Sequence, residues 1–596
     1  MSKDPKIILK ILSENNGCID NLYRYLYIPE FYQIAYNNIY SKPSQMTLAS
    51  DGSTIDGMSM DRINKLINSL KDRSYKPTPL RRIQIPKKNG EMRSISVPSF
   101  EDKLVQEIIR MILEALYEHT FLDCSHGFRP NKSCHTALDY TKRKFQGTKW
   151  WINANIRGCF DNINHQRLIQ ILAERIKEQK FLNLINKFLK AGYIENWKYH
   201  KTYSGTPQGS IISPILANIY LDKLDHFIMS LKERFDKGKE RKKNSEYIKL
   251  QARVSFTKKR IEKGLNIEEN KIKLKAQMKE QKEFSRKFGV KLNMDPNYRR
   301  LSYVRYADDF IIGIAGPKEE TILIMNLITE FLKGCLYLDL NNKKSKILHN
   351  SKSIRFLGYD ISIMKSEDRR TVNGGVYLSL PHEYAIKLVI DNCFGKWVTD
   401  YETGKPKLEG IHKSAMIDCN ELEIVSQYNA KLRGFYNYYK MASNVSKLCK
   451  IYYIIMISFL KTLAAKYKTT CAKLYKNKKY AKRKNGKTTV GITYNDKYYE
   501  LFNGPFEVDK TVKYNKNIDI IENINKYFAR TSLIDRLEAN KCEYCGDIKG
   551  PFEVHHVKKL KDLKGKTLWE KFMIARKRKT IILCKSCHDK LHAGKL

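Results

Sequence analysis

Leu301-Ser-Tyr-Val-Arg-Tyr-Ala-Asp-Asp-Phe-Ile-Ile-Gly-Ile314 sets two adjacent carboxylates, Asp308 and Asp309, between two apolar runs. The runs read as strands joined at a tight turn over Tyr306–Asp309. A buried strand tolerates Asp poorly unless the side chain is paired or holds a metal. On such a hairpin Asp308 would face a site where a cation can sit, with Asp309 beside it. Paired divalent ions on carboxylates drive in-line attack on phosphate: one ion activates the entering oxygen and the other supports the leaving one. A solvated Asp-Asp turn has the same local pattern, so the surroundings must decide between the two.

The 596 residues are too many for one core and predict about three to five domains. Apolar content of 42% and aromatic content of 11% exclude a disordered polycation. The net charge of +47, from 110 Lys+Arg against 63 Asp+Glu, attracts polyanions at long range, although a compositional bias towards Lys would raise it too. The 37 tyrosines, interleaved with basic residues, suit stacking on unpaired bases. No apolar run reaches the ~18 residues of a membrane span, and Ile451–Leu460 reads as a buried helix. No charged-then-apolar signal peptide opens the chain, and Asp4 and Glu14 argue against a transit peptide. Nine of the 13 cysteines are scattered singly, as in a reducing compartment.

Residues 1–75 read as helical, with a polar, Gly-containing loop near 50–57. Short strands over 82–86 and 92–97 flank a hairpin turn, and helices are expected over 103–122 and 211–232. The charged stretch 233–295 reads as solvated helices, a hairpin on the surface rather than core. Residues 380–470 are again helical in pattern, 471–500 irregular, and 530–596 a separate small unit.

Four further blocks stand in order around the carboxylate turn: Ile85-Pro-Lys87-Lys-Asn-Gly-Glu-Met-Arg93, Ser125-His-Gly-Phe-Arg-Pro130, Ser204-Gly-Thr-Pro-Gln208-Gly-Ser-Ile-Ile-Ser-Pro214 and Arg355-Phe-Leu-Gly358-Tyr. With Tyr306-Ala-Asp-Asp309 they resemble reverse transcriptases, and in detail group II intron-encoded proteins (intron maturases) of the mitochondrial-like lineage, over nearly the whole chain. The resemblance implies a right-hand polymerase of multidomain α+β architecture. Asp308 and Asp309 would hold Mg²⁺, and Lys87 and Arg93 the incoming triphosphate. Gln208 would lie near the nucleotide sugar and template, and Arg355–Tyr359 would grip the primer end. One position departs. The family pattern Gly-Asp-Ile-Lys-Gly-Cys-Phe-Asp-Asn-Ile-Asp-His is here Ala154-Asn-Ile-Arg-Gly-Cys-Phe-Asp-Asn-Ile-Asn-His165, so Asn155 stands where a metal-bridging Asp is expected. An amide is neutral and offers one carbonyl oxygen, which cannot bridge two cations as a carboxylate does. Phe160 corresponds to the family's gate against a ribose 2′-OH, and Asp161 is expected to be structural. The chain is therefore expected to bind template and primer but to polymerise poorly.

Downstream, Tyr428-Asn-Ala-Lys-Leu-Arg433-Gly-Phe-Tyr-Asn-Tyr-Tyr439 resembles the thumb, or domain X, of intron maturases, which binds the chain's own intron RNA. Its tyrosines are equally readable as core. Lys461, Lys466, Lys468 and the basic run 475–487 are candidate phosphate contacts.

Cys542-Glu-Tyr-Cys545 and Cys584-Lys-Ser-Cys587 are two Cys-x-x-Cys pairs, the pattern of a structural Zn²⁺ site. Between them lies Glu553-Val-His555-His556, and His588 and His592 follow at i, i+4. This resembles an HNH endonuclease of ββα-metal fold. His556 would be the general base, and His555 and His588, with His592 as a further ligand, would hold a divalent ion taken as Mg²⁺. The middle Asn of that motif is missing, so backbone, Lys577 or Arg578 would have to orient the base. A zinc knuckle that only binds DNA remains the alternative.

The expected layout is an N-terminal helical extension (1–75), fingers and palm (76–375) with the insertion 233–295, thumb (376–499), a DNA-binding segment (500–535) and the nuclease (536–596). The leading reading is a maturase that promotes splicing, nicks target DNA and supports target-primed reverse transcription. Its partners would be intron RNA, target DNA and dNTPs, with no membrane, and homodimerisation is open. The location would be the bacterial cytoplasm, at the nucleoid, or an organelle matrix. The competing reading is an RNA-binding splicing cofactor without catalysis. A non-intron reverse transcriptase would not require the thumb block followed by an HNH tail.

Overall fold

The computed structural model describes residues 4–40, 46–86, 90, 92–292, 295–366, 373–484, 487–494, 496–509, 533–557, 560, 563, 565–575 and 578–596. At its centre lies a four-stranded antiparallel sheet in the order Arg300–Tyr306, Asp309–Ala315, Trp150–Asn155, Lys346–His349. Side chains alternate across it. Leu301, Tyr303, Phe310 and Ile312 enter one apolar cluster, while Val304, Ile311 and Trp151 enter another. A sheet covered on both faces has no solvent side, which is why its strands read as unbroken apolar runs. The Ser213–Phe235 and Lys318–Leu336 helices back the first face.

Leu80–Pro86 and Met92–Val97 pair antiparallel, and Leu80–Pro86 also pairs with Tyr193–Glu195 to extend the fingers sheet. The Phe100–Tyr117 helix, capped by the Ser99 hydroxyl, joins this sheet to the N-terminal helices in the larger core. In the insertion, Ser245–Glu262 and Ile267–Phe288 form a two-helix hairpin that buries few side chains, among them Leu250 and Val254. The sequence expectation of a solvated helical hairpin holds.

The thumb differs in part. Gly395–Thr399 and Pro406–Gly410 form a hairpin within the stretch read as helical. Ala481–Lys484, Lys487–Tyr494 and Lys497–Glu500 form a three-stranded meander within the stretch read as irregular. Lysines alternating with few apolar residues masked the strand period; Val490 and Ile492 carry its buried face. Leu501 and Phe506 are buried in the same core and Lys440 pairs with Asp509 at 2.8 Å, so the boundary expected at 500 falls inside the thumb. Residues 510–532, most of the expected DNA-binding segment, lie outside the described residues. The helical stretch Val445–Lys466 is long and apolar enough to cross a membrane by length and composition alone, yet it packs in the thumb core, as the sequence reading of Ile451–Leu460 as a buried helix expects. Half of its apolar window is buried, and Ile451, Ile455, Phe459 and Leu463 line the thumb core at helical spacing.

At the C-terminal end Phe552–His556 and Thr580–Cys584 pair antiparallel and the Lys585–His592 helix follows, a ββα unit. Read from sequence as separate, this unit shares its apolar cluster with the N-terminal helices. Met58 bridges Val554 antiparallel, with Val554 N–H donating to Met58 O at 2.9 Å and Gly57 N–H to Val554 O at 3.2 Å.

Candidate functional site: a carboxylate turn and a histidine–aspartate cluster

The carboxylate turn is built by register. Asn155 sits opposite Asp309 across the sheet, and Tyr306 pairs with Asp309 across the turn. Ala307 takes a left-handed conformation, φ 55°, to close it. The Asn155 side-chain amide donates to Asp308 Oδ2 at 3.3 Å and to Asp309 Oδ1. Burial, and then the neighbouring Asp308, push the Asp309 carboxyl up from its ordinary value. The three expected positions therefore converge. The amide satisfies both carboxylates by donation where a third carboxylate would need a cation between them.

A buried ion pair holds this turn from behind. Arg305 is fully enclosed and gives its guanidinium to Asp225 at 2.5 Å, to Ser125 Oγ at 2.8 Å and to Ala307 O at 3.0 Å. The Tyr303 hydroxyl donates to the same Asp225 at 2.6 Å. Arg305 N–H donates to Cys124 O, and His126 N–H to Arg305 O. A Cβ on Gly127 would lie 2.4 Å from Ala307 N, so only glycine lets this segment approach the turn. The Ser125–Pro130 motif thus backs the carboxylates as well as belonging to the fingers.

Arg93 Nε donates to Gln208 Oε1 at 3.2 Å, and Gln208 Nε2 to Asp161 Oδ2 at 3.3 Å. Phe160 meets Phe128 edge to face at 6.1 Å. Gly209, φ 111°, lies where a Cβ would come within 2.2 Å of Ser96 O, which fixes the loop carrying Gln208. Lys87 lies outside the described residues. In the thumb, the Tyr438 and Tyr439 hydroxyls donate to Leu357 O at 2.8 Å and Gly358 O at 3.2 Å. These tyrosines dock the thumb helix on the Arg355–Tyr359 turn. Lys461 pairs with Glu409 at 2.6 Å and Lys466 donates to Ile417 O at 2.9 Å, so both serve contacts within the thumb.

In the ββα unit, strand alternation sends the two adjacent histidines to opposite sides. His555 faces the helix: its Nδ1 lies 3.3 Å from His588 Nε2, which lies 3.1 Å from His592 Nε2. Glu553 accepts from His588 Nδ1 at 2.5 Å, orienting the ring. Asp56, from the N-terminal loop, completes the group; it comes within 2.8 Å of His592 Nε2, 3.4 Å of His588 Nε2 and 3.3 Å of His555 Nδ1. Against the burial that would raise it, hydrogen bonds from His555 and His588 hold the Asp56 carboxyl well below the usual carboxylate range. His556 faces the N-terminal helices, with Nε2 at 2.6 Å from the Tyr36 hydroxyl, and burial lowers its pKa to about 4. The orienting group for His556 is thus Tyr36. Arg578 instead faces Glu543 at 3.5 Å, and Lys577 lies outside the described residues. Cys542, Cys545, Cys584 and Cys587 converge, with Cys545 and Cys584 sulfurs 3.8 Å apart. That is the edge of a tetrahedron with metal–sulfur bonds of about 2.3 Å.

Sequence reasoning missed Asp56, Tyr36 and Asp225. None lies near its partners in the chain, and Asp56 sits in a loop with no local pattern. Glu553 carries a signal of its own: its i−2 position to His555 in one strand puts both on one face.

Residues 85–361 match the family described as reverse transcriptase (RNA-dependent DNA polymerase), 375–536 the type II intron maturase family and 542–588 the AI2M/AI1M-like HNH endonuclease family. The group II intron-encoded protein LtrA of Lactococcus lactis subsp. cremoris is 41% identical over 608 residues, covering 98% of each chain. The chain is a group II intron-encoded protein. Similarity extends to an uncharacterized 91 kDa protein in the cob intron of Schizosaccharomyces pombe, 36% identical over 97% of this chain and 70% of that one. A putative COX1/OXI3 intron 2 protein of Saccharomyces cerevisiae is 35% identical over 94% of this chain and 65% of that one. This intron-encoded protein thus combines reverse-transcriptase, maturase and HNH domains in one chain, the architecture of a splicing and mobility factor.

Proposed function

We propose that this protein binds its intron RNA to promote splicing and nicks target DNA through its HNH domain, while DNA synthesis at its polymerase site is impaired. The observation that carries the impairment is the Asn155 amide donating to both Asp308 and Asp309. Asp308 and Asp309 would still hold Mg²⁺, but a neutral amide removes ligand charge where the transition state most needs it. Arg93, with Lys87, would meet the triphosphate, Gln208 the sugar and template, and Phe160 would exclude a 2′-OH. The coarse expectation is a metal-dependent protein, and the donor sets sharpen it. Four thiolates suit Zn²⁺, and three imidazoles with a carboxylate suit Zn²⁺ or Mn²⁺ better than Mg²⁺, which prefers oxygen. A cation bound there would polarise a phosphate and lower the pKa of water. His556 would take the proton from the attacking water. Intron RNA, target DNA and dNTPs are the proposed partners, a bacterial cytoplasm or an organelle matrix the proposed location, and a homodimer the proposed assembly.

Primer extension comparing the protein with Asn155→Asp tests the polymerase reading: the substitution should raise synthesis by orders of magnitude, and equal, robust synthesis by both would overturn it. His556→Ala should abolish nicking of target DNA while leaving RNA affinity intact. Nicking that survives in this variant assigns the base elsewhere. The second reading, a splicing cofactor without catalysis, is favoured by Asn155 and requires that the parent neither extends nor nicks.

A further inference from the structure

Four side chains that could ligate a cation converge around His588, one more than the three protein ligands of a tetrahedral catalytic zinc site. A divalent ion bonded to nitrogen and oxygen at about 2.0–2.1 Å in a tetrahedron has edges of about 3.3–3.4 Å. His588 Nε2 lies 3.3 Å from His555 Nδ1 and 3.1 Å from His592 Nε2. Asp56 Oδ2 lies 3.4 Å from His588 Nε2 and 2.8 Å from His592 Nε2, and Asp56 Oδ1 lies 3.3 Å from His555 Nδ1. These separations are all at or somewhat below those edges. Three of these groups belong to the ββα unit. The fourth is brought some 500 residues along the chain by a built connection. Asp56 Oδ1 accepts from His556 N–H at 2.7 Å, Met58 pairs with the Val554 strand edge, and Arg62 donates to Asp56 O at 3.0 Å. The same N-terminal region puts the Tyr36 hydroxyl on His556 Nε2 and leaves that ring 5% exposed. Catalytic sites keep a coordination position open for water or substrate, whereas sites closed by four protein groups are structural.

We propose that Asp56 is the fourth ligand of the nuclease cation and that, by occupying the position a DNA phosphate needs, the N-terminal segment holds the HNH site shut until it is displaced. The inference rests on the nuclease reading above. Strand addition by Asp56–Met58 supplies the hinge-side contact, through main-chain hydrogen bonds that docking forms and undocking breaks. Displacement of the Asp56–Met58 segment frees the coordination position, while the Tyr36 hydroxyl, on a helix of the main core, stays on the His556 ring and keeps it oriented.

The test uses the full chain, its cysteine site first filled with one equivalent of Zn²⁺, titrated with Co²⁺ and followed by visible absorption. Four-coordinate Co²⁺ with nitrogen ligands absorbs strongly, and six-coordinate Co²⁺ on oxygen ligands weakly. Asp56→Asn keeps the acceptor for His556 N–H, and Asp56→Ala removes it. Both should weaken Co²⁺ binding at least about tenfold and raise nicking of target DNA several-fold. Unchanged Co²⁺ affinity shows that Asp56 is no ligand and overturns the proposal. Weakened binding without a rise in nicking overturns the latch. His588→Ala separates the two readings: its loss of Co²⁺ binding and of nicking supports the nuclease site whatever Asp56 does, and retention of both removes that site and the latch with it.

Discussion

At position 155 one atom's identity sets the character of a site. The parent amide gives two hydrogen bonds to Asp308 and Asp309, whereas an aspartate there would face both as a third negative charge. Asn155→Asp should therefore lose on the order of 1–3 kcal/mol in EDTA and recover it as Mg²⁺ is added, which thermal unfolding across a Mg²⁺ series reads. A parent that responds to Mg²⁺ as strongly as the variant contradicts this account. Asp102 offers a proton-linked case. Burial, opposed by hydrogen bonds from Tyr75 and Thr78, raises its pKa to about 6. The native carboxyl holds its proton over a range where the unfolded one has released it, so its contribution to stability declines as pH rises from about 4 through 6. Relative to Asp102→Asn, the wild type should lose about 2–3 kcal/mol between pH 4 and pH 7, measured as the difference in urea midpoints. Single residues were legible from sequence where chemistry is local: the Asp-Asp turn, the Cys-x-x-Cys pairs, the i, i+4 histidines. Asp56 and Tyr36 were not, because what gives them meaning lies at the other end of the chain.

The element that matters most to the polymerase site is the turn from Arg300 to Ala315, and Arg305 anchors it from the rear. Both partners of the Arg305–Asp225 pair have no side-chain exposure, so removing either leaves a buried charge unpaired. Asp225→Asn should cost about 3–5 kcal/mol, while replacing both partners by apolar groups of similar size should cost much less; a double-mutant cycle on chemical unfolding separates the two. The palm strands were readable because burial on both faces makes them continuous apolar runs. The meander at Ala481–Glu500 was not, since its buried face is carried by few residues between lysines. The cysteine cluster staples the start of the ββα unit to the Thr580–Cys584 strand and the helix after it. With the proposed Zn²⁺ bound to the four cysteines, a chelator should speed hydrogen exchange through Phe552–His556 and Thr580–Cys584 and leave the palm strands protected.

Across the whole molecule, charge and topology act together. A net charge of +47 over the whole chain implies many phosphate contacts with RNA. RNA affinity should fall by about 10³-fold or more between 50 and 200 mM salt, and a shallow slope in filter binding would show that few phosphates are engaged. Domain order was legible from sequence, since each motif announces its own unit. The sharing of one core by the first helices and the last hairpin was not, because no local pattern encodes contact across the length of a chain. That sharing has a consequence in time. At translation rates of about 5–20 residues per second, Asp56 leaves the ribosome roughly 25–100 s before His556. Through that interval the palm and thumb can take shape around their own residues, while the N-terminal edge that receives the nuclease waits uncovered. The nuclease assembles after the palm and thumb, and it forms against a surface already folded.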